Sequence, residues 1–198
     1  LGACVNYRYP TNLPQAIITQ ALLPPLPSRN SDGASNKFPG YAAGDFSACS
    51  KTPLLGLTND KSALIAKIND MEASGSTDGD QGILWGWRSI SEEWQGLWKS
   101  AIDRPLSKQA VKKVVLFFSD GASISNEASI FLPTCNEMKE NDIEIYTVQF
   151  SASNNSMVAC ASSTDHYFYA NNQQQLKQAF IDISENVGFE LKLKSYEN

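Results

Sequence analysis

The stretch from Lys113 to Gly121, which reads KVVLFFSDG, decides the fold of this 198-residue chain. Its apolar core, Val114–Phe118, does not alternate and is too short for an unbroken helix, which predicts a central parallel strand buried on both faces. Asp120 then falls at the carboxyl end of that strand, where open α/β sheets bind ligands, and Gly121 permits a sharp turn. A turn or helix-cap role for Asp120 is the alternative that spacing leaves open.

Composition and charge narrow the class of protein. An apolar fraction of 42% over 198 residues is enough for one sizeable core. A net charge of -5, with no basic run, argues against nucleic-acid binding, because phosphate recognition requires basic side chains that replace counterions. No stretch reaches the roughly 18 to 20 apolar residues that cross a bilayer. The start of the chain lacks the basic and apolar regions of a signal peptide, so we expect any signal or membrane anchor to lie outside it.

The first part of the chain, residues 1–56, is predicted to be an irregular, proline-rich excursion. Seven of the nine prolines fall there, and proline interrupts both helices and strand ladders. A short strand at 3–9 and a short helix near 15–22 are the expected exceptions. Residues 57–198 are predicted to form the core, with the excursion attached to it in one structural domain.

The cysteines indicate the compartment. They are even in number, widely spaced and without a Cys-x-x-Cys pair, which favours two disulfides in an oxidising compartment over a zinc site. Free buried thiols are the alternative. The four residues are Cys4, Cys49, Cys135 and Cys160.

Helices and strands alternate through the core, which predicts a parallel sheet. A cap signal at 57–60, which ends in Asp60, and an apolar stripe after it predict a first amphipathic helix; the stripe is formed by Leu64, Ile65, Ile68 and Met71. The later elements are predicted as a helix around 83–87, a helix or broken helix over 126–141, a strand over 143–150, a short helix over 157–162, a short strand over 167–169, a helix over 173–186 closed by Gly188, and an edge strand or tail over 189–194.

Two stretches before the central strand carry polar or aromatic side chains. The loop over 73–82 holds hydroxyls and carboxylates that suit an ion, although Ser76, Thr77 and Asp78 are equally suited to satisfying amides where a helix begins. Clustered tryptophans predict packing, and an exposed sugar-binding platform is the alternative. These tryptophans are Trp85, Trp87, Trp94 and Trp98.

Signals of catalysis are poor. The single histidine, His166, precedes an aromatic strand and has no nucleophile motif near it, so we interpret it as a strand-edge residue. A hydrolase that uses Asp120, Asp78 and His166 remains the alternative in the enzyme class. The sequon at Asn154 is a three-residue match and carries little weight.

Three segments in this order resemble a von Willebrand factor type A domain: GSTDG at 75–79, VVLFFSDG at 114–121 and IEIYTVQF at 143–150. The stretch over 57–98 is similar, more narrowly, to bacterial Tad-type (TadG-like) pilus-assembly proteins. The resemblance covers roughly residues 57–193. It implies a doubly wound, mostly parallel sheet of Rossmann type with helices on both faces.

The resemblance also implies a metal-ion-dependent adhesion site built from three loops. Thr77 matches the threonine of the second loop and Asp120 the aspartate of the third, with Mg²⁺ as the expected ion and Ca²⁺ or Mn²⁺ as alternatives. The Asp-x-Ser-x-Ser of the first loop follows no apolar strand in this chain, and the nearest string, at 45–49, ends in cysteine. The partner-binding face would be lined by Ser76, Asp78, Ser119 and Gly121.

The function expected from the resemblance is a non-enzymatic protein-binding or adhesion domain of a bacterial envelope protein, periplasmic or at the cell surface, that engages a pilus or envelope component. Because the Asp-x-Ser-x-Ser segment is missing, we expect an upstream segment or a partner chain to complete the sheet beside Val114–Phe118. The expected disulfides are Cys135–Cys160 and Cys4–Cys49, since each pair spans segments that should lie near each other.

Overall fold

The computed structural model describes residues 52, 54–72, 79–94, 111–120, 124 and 127–196. The chain forms two compact units, Leu1–Ser107 and Lys108–Asn198. No helix in the described ranges is both long enough and apolar enough to cross a membrane.

The described residues of the first unit contain two helices, and the earlier of them, α1, spans Lys61–Asn69. It begins where predicted, because the Asp60 carboxylate accepts hydrogen bonds from the amides of Ser62 (2.8 Å) and Ala63 (3.2 Å). Leu64, Ile65 and Ile68 of the predicted apolar stripe lie on this helix, whereas Met71 follows its end; all four side chains are exposed, and α1 contains no buried residue. An amphipathic stripe normally faces a core, and in α1 it does not.

The second helix of this unit, α2, spans Gly79–Ile90 and is followed by a 3₁₀ turn at Glu92–Trp94. Its apolar side chains are buried as the sequence predicts, with Ile83, Leu84 and Trp87 almost fully removed from solvent. The packing of these side chains is therefore the main contribution of α2 to stability.

In its described residues, the second unit contains three parallel strands of one sheet, with helices between them. Its strands are β1 (Lys113–Ser119), β2 (Ile143–Phe150) and β3 (Tyr167–Ala170), in the order β1-β2-β3. The helical segments are a π-helical turn at Glu127–Phe131, α3 (Leu132–Glu140), α4 (Asn155–Cys160), a 3₁₀ turn at Thr164–His166 and α5 (Gln173–Tyr196). This alternation confirms the predicted α/β class.

Helices cover both faces of β2. Tyr146 and Val148 pack against Ala179 and Ile183 of α5 on one face. Thr147 points to the opposite face, where its hydroxyl donates to the Met157 carbonyl of α4 at 2.9 Å. The sheet is therefore wound on both sides, as the resemblance implies.

The prediction that Val114–Phe118 is buried on both faces is wrong for two of its side chains, whereas its central position in the sheet stays a prediction. Among the strands that the structure describes, β2 has a neighbour on each side and β1 pairs with β2. Leu116 is 40% exposed and Phe118 is 45% exposed. An apolar run shows that a strand suits a covered position, but it does not show which neighbours cover it.

The C-terminal helix is longer than predicted. The sequence suggested that Gly188 closes a helix over 173–186 and that 189–194 form an edge strand or tail, but α5 continues to Tyr196. Glycine ends a helix when it takes a left-handed conformation, and Gly188 lies inside α5 instead. The glutamate, leucine and lysine residues that follow are strong helix formers.

The short helix α4 begins two residues earlier than the predicted 157–162. Asn154 caps it, because its side-chain oxygen accepts from the Ser156 amide at 2.7 Å. The sequon asparagine, Asn154, is therefore a buried helix cap in this structure.

A disulfide links α3 to α4. It joins Cys135 to Cys160, whose Cα atoms are 5.2 Å apart, and confirms that predicted pair. The other predicted pair, Cys4–Cys49, lies outside the described residues, as do residues 1–51 and 53 of the predicted excursion over 1–56.

Candidate functional site

The carboxyl edge of the sheet carries the residues to which the sequence assigns a binding role. Asp120 directly follows β1, at the carboxyl end of the strand as predicted, and is exposed. Ser119 is the last residue of β1 and is buried, in register with Gln149 of β2. Exposure at the end of a parallel strand leaves the Asp120 carboxylate accessible to an ion or a partner.

The other predicted site residues lie outside the described residues. They are Ser76, Thr77, Asp78 and Gly121. Within the described ranges, no group of three or more histidine, cysteine, aspartate or glutamate side chains could hold a metal ion. Asp120 is a hard oxygen donor of the kind that Mg²⁺ prefers, but Mg²⁺ takes about six oxygens, so Asp120 fits an ion site as one contributor only.

Gln149 is a functional candidate that the sequence reading missed. Its Oε1 accepts from the Asn154 amide at 3.0 Å and from the Tyr167 hydroxyl at 3.2 Å. Its Nε2 is buried and has no hydrogen-bond partner, so a donor faces the interior at the carboxyl end of β2. The sequence feature that could have identified Gln149 is its position as a single glutamine in the otherwise apolar end of the strand IEIYTVQF.

A second polar cluster lies at the amino edge of the sheet, at the opposite end from Asp120. The Glu144 carboxylate is hydrogen-bonded to Nε2 of His166 at 2.5 Å and forms an ion pair with Lys112. Nδ1 of His166 lies 2.5 Å from the Ser163 hydroxyl. The cluster therefore connects the amino ends of all three strands, and we name it the amino-edge cluster.

Electrostatics within the amino-edge cluster follow from this geometry. Burial alone raises the pKa of Glu144, but hydrogen bonds from Lys112, His166 and Tyr146 outweigh it and leave the pKa below its ordinary value. Burial, together with the hydrogen bond to Glu144, raises the pKa of Tyr146 to about 12. With these two pKa shifts, the Glu144 carboxyl group is charged and the neighbouring Tyr146 phenol is neutral at pH 7.

The structure does not bring the described members of the hydrolase alternative together. His166 belongs to the amino edge and is engaged there by Glu144 and Ser163. Asp120 lies at the other end of β1, and a strand of this length separates its ends by about 20 Å. No proton can pass directly between the two side chains, so the structure does not favour a hydrolase.

The tryptophan cluster packs within the first unit. The Arg88 guanidinium lies over the Trp85 ring at 4.4 Å and over the Trp94 ring at 5.5 Å from its centre. Trp85 and Trp94 meet edge to face at 5.8 Å, and Trp87 is buried. Trp98 lies outside the described residues. The three described rings support the packing interpretation and not a sugar-binding platform.

Comparison with known proteins finds a match to one protein family. The model of the von Willebrand factor type A domain matches residues 46–182. A search of curated proteins gives no match.

Solved structures are similar at low identity. Proximal thread matrix protein 1 from the mussel byssus, with a zinc-occupied MIDAS motif, is 14% identical with a TM-score of 0.48, covering 64% of this chain and 31% of that one. The SpRpn10 VWA domain is 14% identical with a TM-score of 0.44, covering 63% of this chain and 61% of that one. This chain therefore spans less than two thirds of either protein, and the family assignment depends on the family match alone.

Proposed function

The chain belongs to the von Willebrand factor type A domain family, and from this membership we propose that it is a non-enzymatic protein-binding domain of a bacterial cell-envelope protein. Domains of this family are in general protein-interaction and adhesion modules, typically without enzymatic activity. The observation that carries the proposal is the exposed Asp120 carboxylate at the carboxyl end of β1. The partner-binding face would be centred on this carboxylate.

We assign a divalent ion, Mg²⁺ or alternatively Ca²⁺ or Mn²⁺, to this face. Family members commonly bind a divalent metal at such a site. Asp120 would be one ligand, and Thr77 keeps the ligand role that its match to the family pattern gives it. When bound, the ion would supply positive charge to an oxygen of the protein partner.

The cellular setting is proposed from two features. The Cys135–Cys160 disulfide supports an oxidising compartment, which in a bacterium is the periplasm or the cell surface. The stretch over 57–98 supports a place in Tad-type pilus assembly, with a pilus or envelope component as partner. Residues 1–56 would be an excursion attached to this domain.

The ion assignment is tested with Mn²⁺, which broadens NMR signals of nearby amides. In the 198-residue chain we expect broadening around Asp120 and its loss in Asp120→Ala. Asp165→Ala is the matched control, because Asp165 is an exposed aspartate at the amino edge. Broadening that persists in Asp120→Ala would remove Asp120 from the ion site.

The pilus assignment is tested in the source bacterium. We expect cells carrying Asp120→Ala to lose surface pili while producing normal amounts of the protein, and cells carrying Asp165→Ala to keep them. Electron microscopy counts the pili, and immunoblotting measures the protein. Normal piliation in cells that lack the whole domain would contradict this part of the proposal and leave the protein-binding function to be tested separately.

A further inference from the structure

The helix α1 carries its apolar side chains in solvent. Leu64, Ile65 and Ile68 share one side of the helix and Met71 follows its end, and these four side chains are between 42% and 62% exposed. We name them the α1 stripe. None of the nine residues of α1 is buried. Large apolar side chains that stand together in solvent are unusual on a stable domain, so the α1 stripe is suited to binding another apolar surface.

The helix α1 also needs packing in order to persist. An isolated helix shorter than about 12 to 15 residues is only marginally stable in water, because so few residues do not offset the cost of nucleation. α1 has nine residues, and the hydrogen bonds that the Asp60 carboxylate accepts support its first turn. An apolar segment that covers the α1 stripe would supply the packing that stabilises the whole helix.

The chain itself offers such a segment. Residues 15–22, which lie outside the described residues, are predicted from the sequence to form a short helix. Pro14 directly precedes them, and proline is tolerated in the first turn of a helix, whereas Pro24 comes where the helix would end. The segment holds apolar residues at i, i+1, i+4 and i+5, which share one face of a helix. These residues are Ile17, Ile18, Ala21 and Leu22.

A hydrogen bond among the described residues fixes where this segment is tethered. The Thr52 hydroxyl donates to the carbonyl oxygen of Asp70 at 2.9 Å, so the preceding chain leaves from the C-terminal end of α1, next to Met71. A flexible chain of the length that joins Leu22 to Thr52 has an end-to-end distance of about 30 Å. Since α1 is only about 14 Å long, residues 15–22 can reach every part of the α1 stripe.

The tether favours this segment over a separate partner. A segment joined to its binding surface by a flexible linker has an effective concentration on the order of 1 mM, far above that of a second copy in dilute solution. The segment and the α1 stripe belong to the same compact unit, Leu1–Ser107. The family model matches from residue 46 onward, so the segment lies outside the matched domain.

We propose that residues 15–22 form a helix that packs its apolar face on the α1 stripe and thereby attaches the N-terminal excursion to the domain. The apolar side chains of both helices leave water together, so each helix stabilises the other. The contact depends neither on the ion assignment nor on the pilus assignment.

Methyl NMR on the 198-residue chain tests the contact directly. With labelled isoleucine methyl groups, we expect nuclear Overhauser effects that join Ile17 or Ile18 to Ile65 or Ile68, and single isoleucine-to-valine substitutions assign the signals. We also expect the amides over 15–22 to exchange at least tenfold more slowly than in an isolated peptide of the same sequence, because a docked helix protects its hydrogen bonds.

Matched variants locate the surface. Ile68→Glu should remove the Overhauser effects and speed exchange over 15–22 at least tenfold, because it places a charge on the covered face. Ala66→Glu should leave both readouts unchanged, since Ala66 is exposed and lies about 160° around the helix from Ile68. Ile18→Glu and Gln20→Glu make the same comparison from the segment and keep the test available if Ile68→Glu unfolds. Circular dichroism shows which variants are folded.

Three results would overturn the proposal. The first is the absence of Overhauser effects between the segment and the α1 stripe. The second is an equal loss in Ile68→Glu and Ala66→Glu, which would show that the stripe is not the docking surface. The third is that the effects join different molecules in a mixture of labelled and unlabelled chains, with a dimer in sedimentation velocity, which would make a second copy the occupant. Each of these results would leave the function proposed for the Asp120 face standing.

Discussion

At the scale of single residues, the Glu144 carboxylate is bonded to three other side chains. One carboxylate satisfies a lysine before β1, a histidine before β3 and, two positions along its own strand, a tyrosine hydroxyl. Its side chain is only 14% exposed, so its partners cannot readily exchange it for water. Removing it would leave charged or polar groups without an acceptor, which costs more than losing an exposed ion pair.

We expect Glu144→Gln to lower the free energy of unfolding by about 1.5 to 3 kcal/mol at neutral pH, the range for hydrogen bonds to charged groups. Because the pKa of Glu144 is lower in the folded protein, its contribution is complete above the ordinary glutamate pKa and is lost as the pH falls through the lower folded value. Urea unfolding between pH 3 and 7, about the range where glutamate titrates, should therefore show a shallower acid dependence in the variant.

Glu185→Gln is the control, because Glu185 is exposed on α5. It should change neither the stability at neutral pH nor the acid dependence. An equal loss in both variants would mean that the amino-edge cluster contributes nothing specific.

At the scale of elements, α2 shows that tryptophan packing depends on position within a helix. Trp87 is buried, whereas Trp85 is only partly covered and meets Arg88 and Trp94 at its ring face and edge. Both residues looked alike in the sequence. Burial of the larger apolar area makes Trp87 the stronger anchor of α2.

We expect Trp87→Ala to destabilise the protein by about 3 to 5 kcal/mol, the cost of a large cavity in a packed region. Trp85→Ala should cost less, because its ring is partly exposed. Chemical unfolding followed by far-ultraviolet circular dichroism measures both. A loss under about 1 kcal/mol for both variants would reject the packing role and restore the exposed-platform alternative.

At the scale of the whole molecule, the tryptophans and the described disulfide belong to different units. All four tryptophans, at positions 85, 87, 94 and 98, belong to Leu1–Ser107. The Cys135–Cys160 disulfide and the three-stranded sheet belong to Lys108–Asn198. Tryptophan fluorescence therefore reports on a unit that does not contain the described disulfide.

We expect replacement of Cys135 and Cys160 by alanine to lower stability by roughly 3 to 4 kcal/mol, since the bond closes a loop with a sequence separation of 25. The sequence proposes that 57–198 form one core, so the unfolding midpoints seen by tryptophan fluorescence and by circular dichroism should move together. A shift in circular dichroism with an unchanged fluorescence midpoint would show that the two units unfold separately.

Local patterns in the sequence determined much of this fold. The apolar runs gave β2 its observed ends, Asp60 marked the start of α1, and Asp120 was placed correctly at the end of β1. The α3–α4 disulfide followed from the α/β order, which brings those helices together. These features depend on neighbours within a few residues or on the rules of parallel sheets, and both can be read along the chain.

The tertiary structure alone decided the rest. That β2 lies between two of the described strands, and that the apolar side chains of α1 are exposed, depends on which segments lie against each strand and helix. The amino-edge cluster joins residues more than 20 positions apart, from Lys112 to Glu144 and from Glu144 to His166. The unpaired amide of Gln149 exists only because β2 is packed on both faces. Such contacts join residues distant in the sequence, so no periodicity or local propensity encodes them.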